Sequence, residues 1–244
     1  MLAALLYKDR RAETGMAGTS EIKILSGGAM KSLMLEVVPL FERATGSKVD
    51  IKFALTSVLT RDIEGGAAFD IALLPRPDLD ALAQAGKIAA GTQTDVTRSA
   101  VGFCVKAGAP RPDISTADAL KHALLNARSI GYSDGPSGAY IAALLRRLGI
   151  ADVLKSKTKL TSRLVAEIVA EGEAEVGMQQ IVAILPVKGA ELVGPLPSEL
   201  QNIIVYAAGM APSAAQSGAA RTFVAFLAMP EVVALIRAKG MEPG

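Results

Sequence analysis

Four short segments of this 244-residue chain carry small hydroxyl-bearing or glycine residues into the start of a helical pattern. They are Ser26-Gly27-Gly28-Ala29-Met30, Thr56-Ser57, Ser137-Gly138-Ala139 and Thr161-Ser162. The first N–H groups of a helix have no partner within it and lie at the positive end of its dipole, so each segment could meet a small anion. Taken singly, Ser26, Ser57, Ser137 and Ser162 also read as plain N-caps; taken together, they predict convergent helix starts. A further pair, Gln179 and Gln180, ends an apolar strand with amides that both donate and accept. Arg76 follows "IALLP" and Arg98 precedes "SAVGFCV", and a guanidinium fork matches a carboxylate in two places at once. Lys31, in the first helical turn, is the weaker cation.

Other chemistries lack their residues. The Ser-Gly-Gly turn fits neither the phosphate-loop pattern nor the dinucleotide fingerprint. The chain has one histidine, His122, and one cysteine, Cys104, so a Ser-His-Asp triad or a multi-histidine metal site is disfavoured and no intramolecular disulfide can form. Both residues sit in apolar-periodic stretches that read as structural. No metal and no cofactor is expected. The 26 basic and 24 acidic residues are interspersed and there is no Trp, which argues against a nucleic-acid partner. Apolar runs such as "IVAILPV" are far shorter than the roughly 20 residues of a membrane span. A hydrophobic content of 50% supports a well-buried core.

The elements that must position these loops alternate between strand and helix, the grammar of a layered α/β protein with largely parallel sheets. Strands are predicted at 21–25, 48–54, 69–75, 99–107, 129–134, 175–179 and 202–210. Helices fill most intervals: one with Leu33, Val37 and Phe41 at helical spacing and a kink expected at Pro39, one from Ser57 to Gly65, and one over 79–87. Others follow over 116–127 (capped at Ser115 or Thr116), 139–149 and 162–174, with two more in the C-terminal 30 or so residues. The candidate loops fall at the carboxyl ends of strands, where α/β sheets present a ligand crevice.

The stretches "EIKILSGGAMKSLMLEVVPLFERATGSKVDIKFALTSVLTRDIEGGAAFDIALL", "SIGYSDGPSGAYIAALLRRLGI", "EVGMQQ" and "ARTFVAFLAMPEVVALIRAKGMEP" resemble, in order and spacing, the molybdate-type solute-binding proteins of ABC transporters. The resemblance implies a two-lobed type 2 periplasmic-binding-protein fold with a hinge of two crossing strands, near 99–105 and 203–208. It places lobe 1 at 21–98 and 209–244, lobe 2 at 99–208, and leaves 1–20 as a flexible extension. It also implies ligand contacts at Ala29, Ser57, Ser137, Ser162 and Gln180, with Ser26, Gly28, Met30, Thr56, Gly138, Ala139 and Gln179 beside them. The chain departs from that pattern where molybdate binders usually have a serine (here Ala29) and a tyrosine (here Gln180). Each lost charge-assisted hydrogen bond is worth about 1.5–3 kcal/mol to a dianion.

The expectation is a solute-binding protein that clamps a small anion between its lobes, an organic carboxylate in preference to molybdate. An alternative is a cytoplasmic isomerase on the same fold, resembling aconitate isomerase, with Tyr132, Tyr140, Lys31, Asp134 and Glu21 as undifferentiated acid-base candidates. A second alternative is molybdate or tungstate binding for a transporter. The first 20 residues place their charges after a short apolar run and lack a clear cleavage site, so the chain as it stands is expected in the cytoplasm. With a misassigned start, for instance at Met16, it would be periplasmic and would partner the membrane subunits of an ABC transporter.

Overall fold

In the computed structural model, which describes residues 21–214 and 217–244, the strands form one continuous ribbon ordered β2-β1-β3-β9-β4-β7-β5-β6. The readings made on residues 1–20 lie outside the described residues, as do Ala215 and Gln216 of the penultimate helical pattern. Strands β1 (Glu21–Gly27), β2 (Lys48–Ala54) and β3 (Ile71–Pro75) are mutually parallel. So are β7 (Val176–Gln180), β5 (Ile130–Ser133) and β6 (Thr158–Thr161). The centre of the ribbon departs from the parallel expectation, because β3, β9 (Ile203–Met210), β4 (Thr94–Lys106) and β7 pair antiparallel in succession.

Strand β4 belongs to both ends of this ribbon. Residues 94–100 pair with β9, whereas Val101–Val105 pair with β7. Two short strands pair with β4 off the main path: β8 (Ala190–Pro195) along its second half, and β10 (Glu242–Pro243) beside Arg98. With helices on both faces, β3 and β7 are buried at every position, which explains why they read as unbroken apolar runs.

Helix α1 (Lys31–Thr45) packs Leu33, Met34, Val37 and Phe41 into one core, where Phe41 meets Phe223 and Phe226 edge-on at 4.9 and 5.4 Å. The latter two come from α9 (Gly218–Phe226), and α10 (Pro230–Ala238) adds Val232 and Ile236. Pro39 does not end α1: it sits on the exposed side, and the helix runs on for six residues to an αL cap at Gly46. The opposite face is covered by α2 (Thr56–Glu64) and α3 (Arg76–Gln84). At the other end, α4 (Ala117–Asn126), α5 (Pro136–Arg147) and α6 (Ala151–Leu154) cover one face. Helices α7 (Val165–Ala170) and α8 (Ile181–Ile184) enclose Cys104 on the other.

Three helix starts differ from the sequence expectation. Helix α5 begins at Pro136 instead of residue 139, because a proline is favoured in a first turn, where its missing N–H costs nothing. Helix α3 begins at Arg76, because Pro77 presets the first-turn backbone and Asp78 complements its dipole. Helix α7 begins at Val165 instead of Ser162. The "TKLT" segment before it pairs with β5, and the start is capped from a neighbouring strand: Ala166 N–H donates to Gln179 Oε1 at 2.9 Å. Neither Thr161 nor Ser162 caps α7; Thr161 Oγ1 instead accepts from Arg163 N–H. Thr116 does cap α4. Among the described residues, no single helix is long and apolar enough to cross a membrane.

Candidate ligand cleft

A cleft of about 440 Å³ opens where the carboxyl ends of β1, β2, β5, β6 and β7 face one another. One wall comes from Gly28 and Ala29 after β1, Lys31, Ser32 and Leu35 in the first turns of α1, and Leu55 and Thr56 after β2. The facing wall comes from Ser133 to Gly135 and Ser137 at the β5–α5 junction, and Ser162, Arg163 and Leu164 before α7. Gln179 and Gln180 close β7, Val182, Ala183 and Pro186 follow on and after α8, and Tyr206 contributes from β9.

The geometry therefore brings Gly28, Ala29, Thr56, Ser137, Ser162, Gln179 and Gln180 together at one surface. The other candidates stand elsewhere. Ser26 is fully buried and its hydroxyl donates to the Gly27 carbonyl, and Met30 lies in the core with its sulfur against the Thr97 hydroxyl. Ser57 and Ala139 are exposed outside the cleft lining, one residue beyond Thr56 and two beyond Ser137. Gly138 is pressed onto the Ser133 carbonyl. Arg76 is held outside the cleft by Asp80 (2.8 Å) and Asp95 (2.7 Å), which raise its pKa further. Arg98 is an exposed residue of β4 whose backbone pairs with Glu242.

What distinguishes this cleft is how its helices begin. Helices α1, α2 and α5 have neither a side-chain cap nor an acidic residue in the first turn. Each of the other described helices of nine or more residues has one or both. Asp78 serves α3, Thr116 and Asp118 serve α4, Ser217 caps α9, and Glu231 serves α10. The three uncomplemented N-termini flank the cleft: α2 and α5 offer their positive ends and first N–H groups directly, and α1 does so through the uncapped 3-10 turn Gly28–Met30 that leads into it, since Lys31 N–H already donates to the Gly28 carbonyl. The plain N-cap reading of Ser26, Ser57, Ser137 and Ser162 thus gives way, since none of them caps a helix.

The polar side chains divide into committed and uncommitted. Gln179 spends Oε1 on α7, leaving only its Nε2 for a ligand. Arg163 is drawn to Glu167, Glu171 and Glu173 at 3.7, 2.6 and 3.2 Å, so its guanidinium is shared among three carboxylates. Gln180, 7% exposed, donates from Nε2 to Tyr206 Oη at 3.3 Å while its Oε1 has no partner. Ser32 Oγ is also buried without a partner. Burial pushes the Tyr206 phenol above its ordinary pKa, with Asp78 adding to the shift and the Gln180 hydrogen bond opposing it, so it stays neutral.

Tyr206 escaped the sequence reading. It lies mid-strand in "NIIVYAAGM", where an aromatic reads as core; its polar tip in an otherwise apolar strand is the one signal it offered. Ser32, Ser133 and the apolar Leu35, Leu55, Leu164 and Val182 were likewise invisible as lining, because only the folded loops bring them to one surface.

Residues 22–242 match the family model described as bacterial extracellular solute-binding protein. An aconitate isomerase from Pseudomonas sp is 31% identical over 91% of this chain and 87% of that protein. The molybdate-binding protein ModA of Azotobacter vinelandii is 25% identical over 92% of this chain and 90% of that protein. Among solved structures, the substrate-binding domain of a putative molybdenum ABC transporter from Clostridium difficile superposes with a TM-score of 0.74 at 18% identity, covering 91% of this chain and 98% of the other. The tungstate-binding protein TupA of Desulfovibrio alaskensis superposes with a TM-score of 0.70 at 16% identity, over 92% and 99%. These likenesses identify the architecture as a periplasmic-binding-protein fold, and the chain belongs to the bacterial extracellular solute-binding protein family.

Proposed function

We propose that the cleft binds a small organic carboxylate, closing around it by movement about strands β4 and β9, with lobes at 21–98 plus 209–244 and at 99–208. The observation that carries the reading is the trio of uncomplemented helix starts at α1, α2 and α5, which calls for an anion. Size and lining favour an organic one. The cleft, at about 440 Å³, lies in the range of small-molecule pockets, many times the roughly 30 Å³ share of one water. Leu35, Leu55, Leu164 and Val182 offer apolar contact to a carbon skeleton. Ala29 presents no hydroxyl and Gln180 is turned to Tyr206, which leaves fewer donors for a bare tetrahedral oxyanion.

Calorimetry against molybdate, tungstate, sulfate and a series of di- and tricarboxylates tests this. Micromolar binding of a carboxylate with none of molybdate is expected; the reverse order would reinstate the oxyanion. In an exported protein, the bound anion would be handed to the membrane subunits of an ABC transporter.

A second reading, isomerisation of a tricarboxylate, is favoured by the 31% identical relative named aconitate isomerase. Such a reaction needs a group that removes a proton beside a carboxylate, and Asp134 and Lys31 both line the cleft. Proton NMR of cis- and trans-aconitate incubated with the protein separates the readings, since interconversion requires chemistry and unchanged spectra exclude it for these substrates.

A further inference from the structure

The Gln180 and Tyr206 side chains together leave one donor and one acceptor unused. Gln180 Nε2 donates to Tyr206 Oη at 3.3 Å, so the phenol is already an acceptor, and its own proton meets no acceptor among the described residues. Gln180 Oε1 is shielded from solvent and nothing in the described protein donates to it. Both residues line the cleft, and both are more than nine-tenths buried, at 7% and 3% exposure. Buried polar atoms in native proteins are ordinarily paired, so an orphaned acceptor in a ligand cleft points to a partner that the ligand brings.

A fully ionised oxyanion offers only acceptors. It could take the Tyr206 proton but would leave Oε1 orphaned. Asp134 sharpens the point: it is the one acidic residue in the cleft lining, and it makes no ion pair among the described residues. An anion seated here gains if it also carries a hydrogen-bond donor. We propose that Tyr206 and Gln180 act as a paired donor and acceptor that selects a hydroxycarboxylate, the phenol donating to a carboxylate oxygen and Gln180 Oε1 accepting from a hydroxyl on the same ligand. This rests on the reading that the cleft takes a carboxylate. Gln180 then does two things at once, since the amide that reads the hydroxyl also fixes the phenol that reads the charge.

The test compares ligands matched except for the hydroxyl: malate against succinate, and citrate against propane-1,2,3-tricarboxylate, each by calorimetry on the whole chain. The hydroxylated member is expected to bind about tenfold tighter or more, the size of one well-placed hydrogen bond at a buried polar group. In Gln180→Met the gap should close to about threefold or less, whereas Tyr206→Phe should weaken both members of a pair by a similar factor while keeping the ring buried. Melting curves establish that each variant is folded, and the comparison in the unaltered protein needs no variant. Equal binding of both members overturns the proposal and leaves the carboxylate reading standing, as does a hydroxyl preference that survives in Gln180→Met. Unchanged affinities in Tyr206→Phe overturn the phenol's part. If none of the four acids binds at millimolar concentration, the carboxylate reading falls and this one with it.

Discussion

A β-carbon placed on Gly138 would stand 1.5 Å from the carbonyl oxygen of Ser133. The first turns of α5 therefore lie directly on the end of β5, and this contact sets where Ser133, Asp134, Gly135 and Ser137 stand in the cleft wall. Only a residue without a side chain permits so close an approach of backbone to backbone.

Gly138→Ala should accordingly displace the whole β5–α5 junction. Overpacking of this kind costs about 1–3 kcal/mol, and the wall that moves is the ligand's. Thermal melting should show the loss of stability, and ligand affinity should fall by about tenfold or more, as a 1.4 kcal/mol loss implies.

Ser57 is exposed in the first turn of α2, a helix start without cap or acid. An acid there would complement the dipole, so Ser57→Glu should stabilise the ligand-free protein by about 0.3–1 kcal/mol. The same charge should weaken anion binding several-fold. Denaturant melts and calorimetry on one preparation should show stability and affinity moving in opposite directions; affinity unaffected by the charge would mean that the field of α2 does not reach the ligand.

Cys104 lies on β4 opposite Gly177 of β7, packed with the apolar side chains of α7 and with no exposure, and burial pushes its thiol up to about 12 from an ordinary 9.0. The folded thiol thus stays protonated where the unfolded one ionises. Its contribution to stability is full below pH 9 and is lost as pH rises from 9 towards 12, by up to about 1.4 kcal/mol per pH unit. At pH 8, a thiol-specific reagent should label the native protein no faster than it unfolds. Rapid labelling under native conditions would show that the thiol is accessible.

Tyr206 is held above the ordinary phenol range mainly by burial. A ligand contact made by its proton should therefore persist as pH rises through 10.0, the ordinary phenol value. An ultraviolet titration should contain a late component that Tyr206→Phe removes.

Arg76 illustrates how a sound local reading loses to a tertiary contact. Its guanidinium fork suits a carboxylate, and it finds two, Asp80 one turn along α3 and Asp95 on β4. Arg76→Ala should leave ligand affinity within about twofold, the scatter expected for a site whose charge is already paired outside the cleft.

The alternation of apolar strands and amphipathic helices, and with it the layered α/β class, could be read along the chain because each element buries its own stripe or face; the two-lobed fold came from the family resemblance. The stripe of Leu33, Val37 and Phe41 and the unbroken run of β3 are local patterns. So was the supply of glycine and hydroxyl residues at strand ends, including Thr56 and Ser137. Three things depended on the folded chain. The antiparallel centre formed by β9 and β4 joins segments about a hundred residues apart. The capping of α7 by Gln179, which frees Ser162, comes from another strand. The Gln180–Tyr206 pair likewise joins two strands that sequence periodicity treats separately. Sequence determines which surface each element must bury; whether a buried polar group finds a partner depends on which neighbour packing places within hydrogen-bond reach.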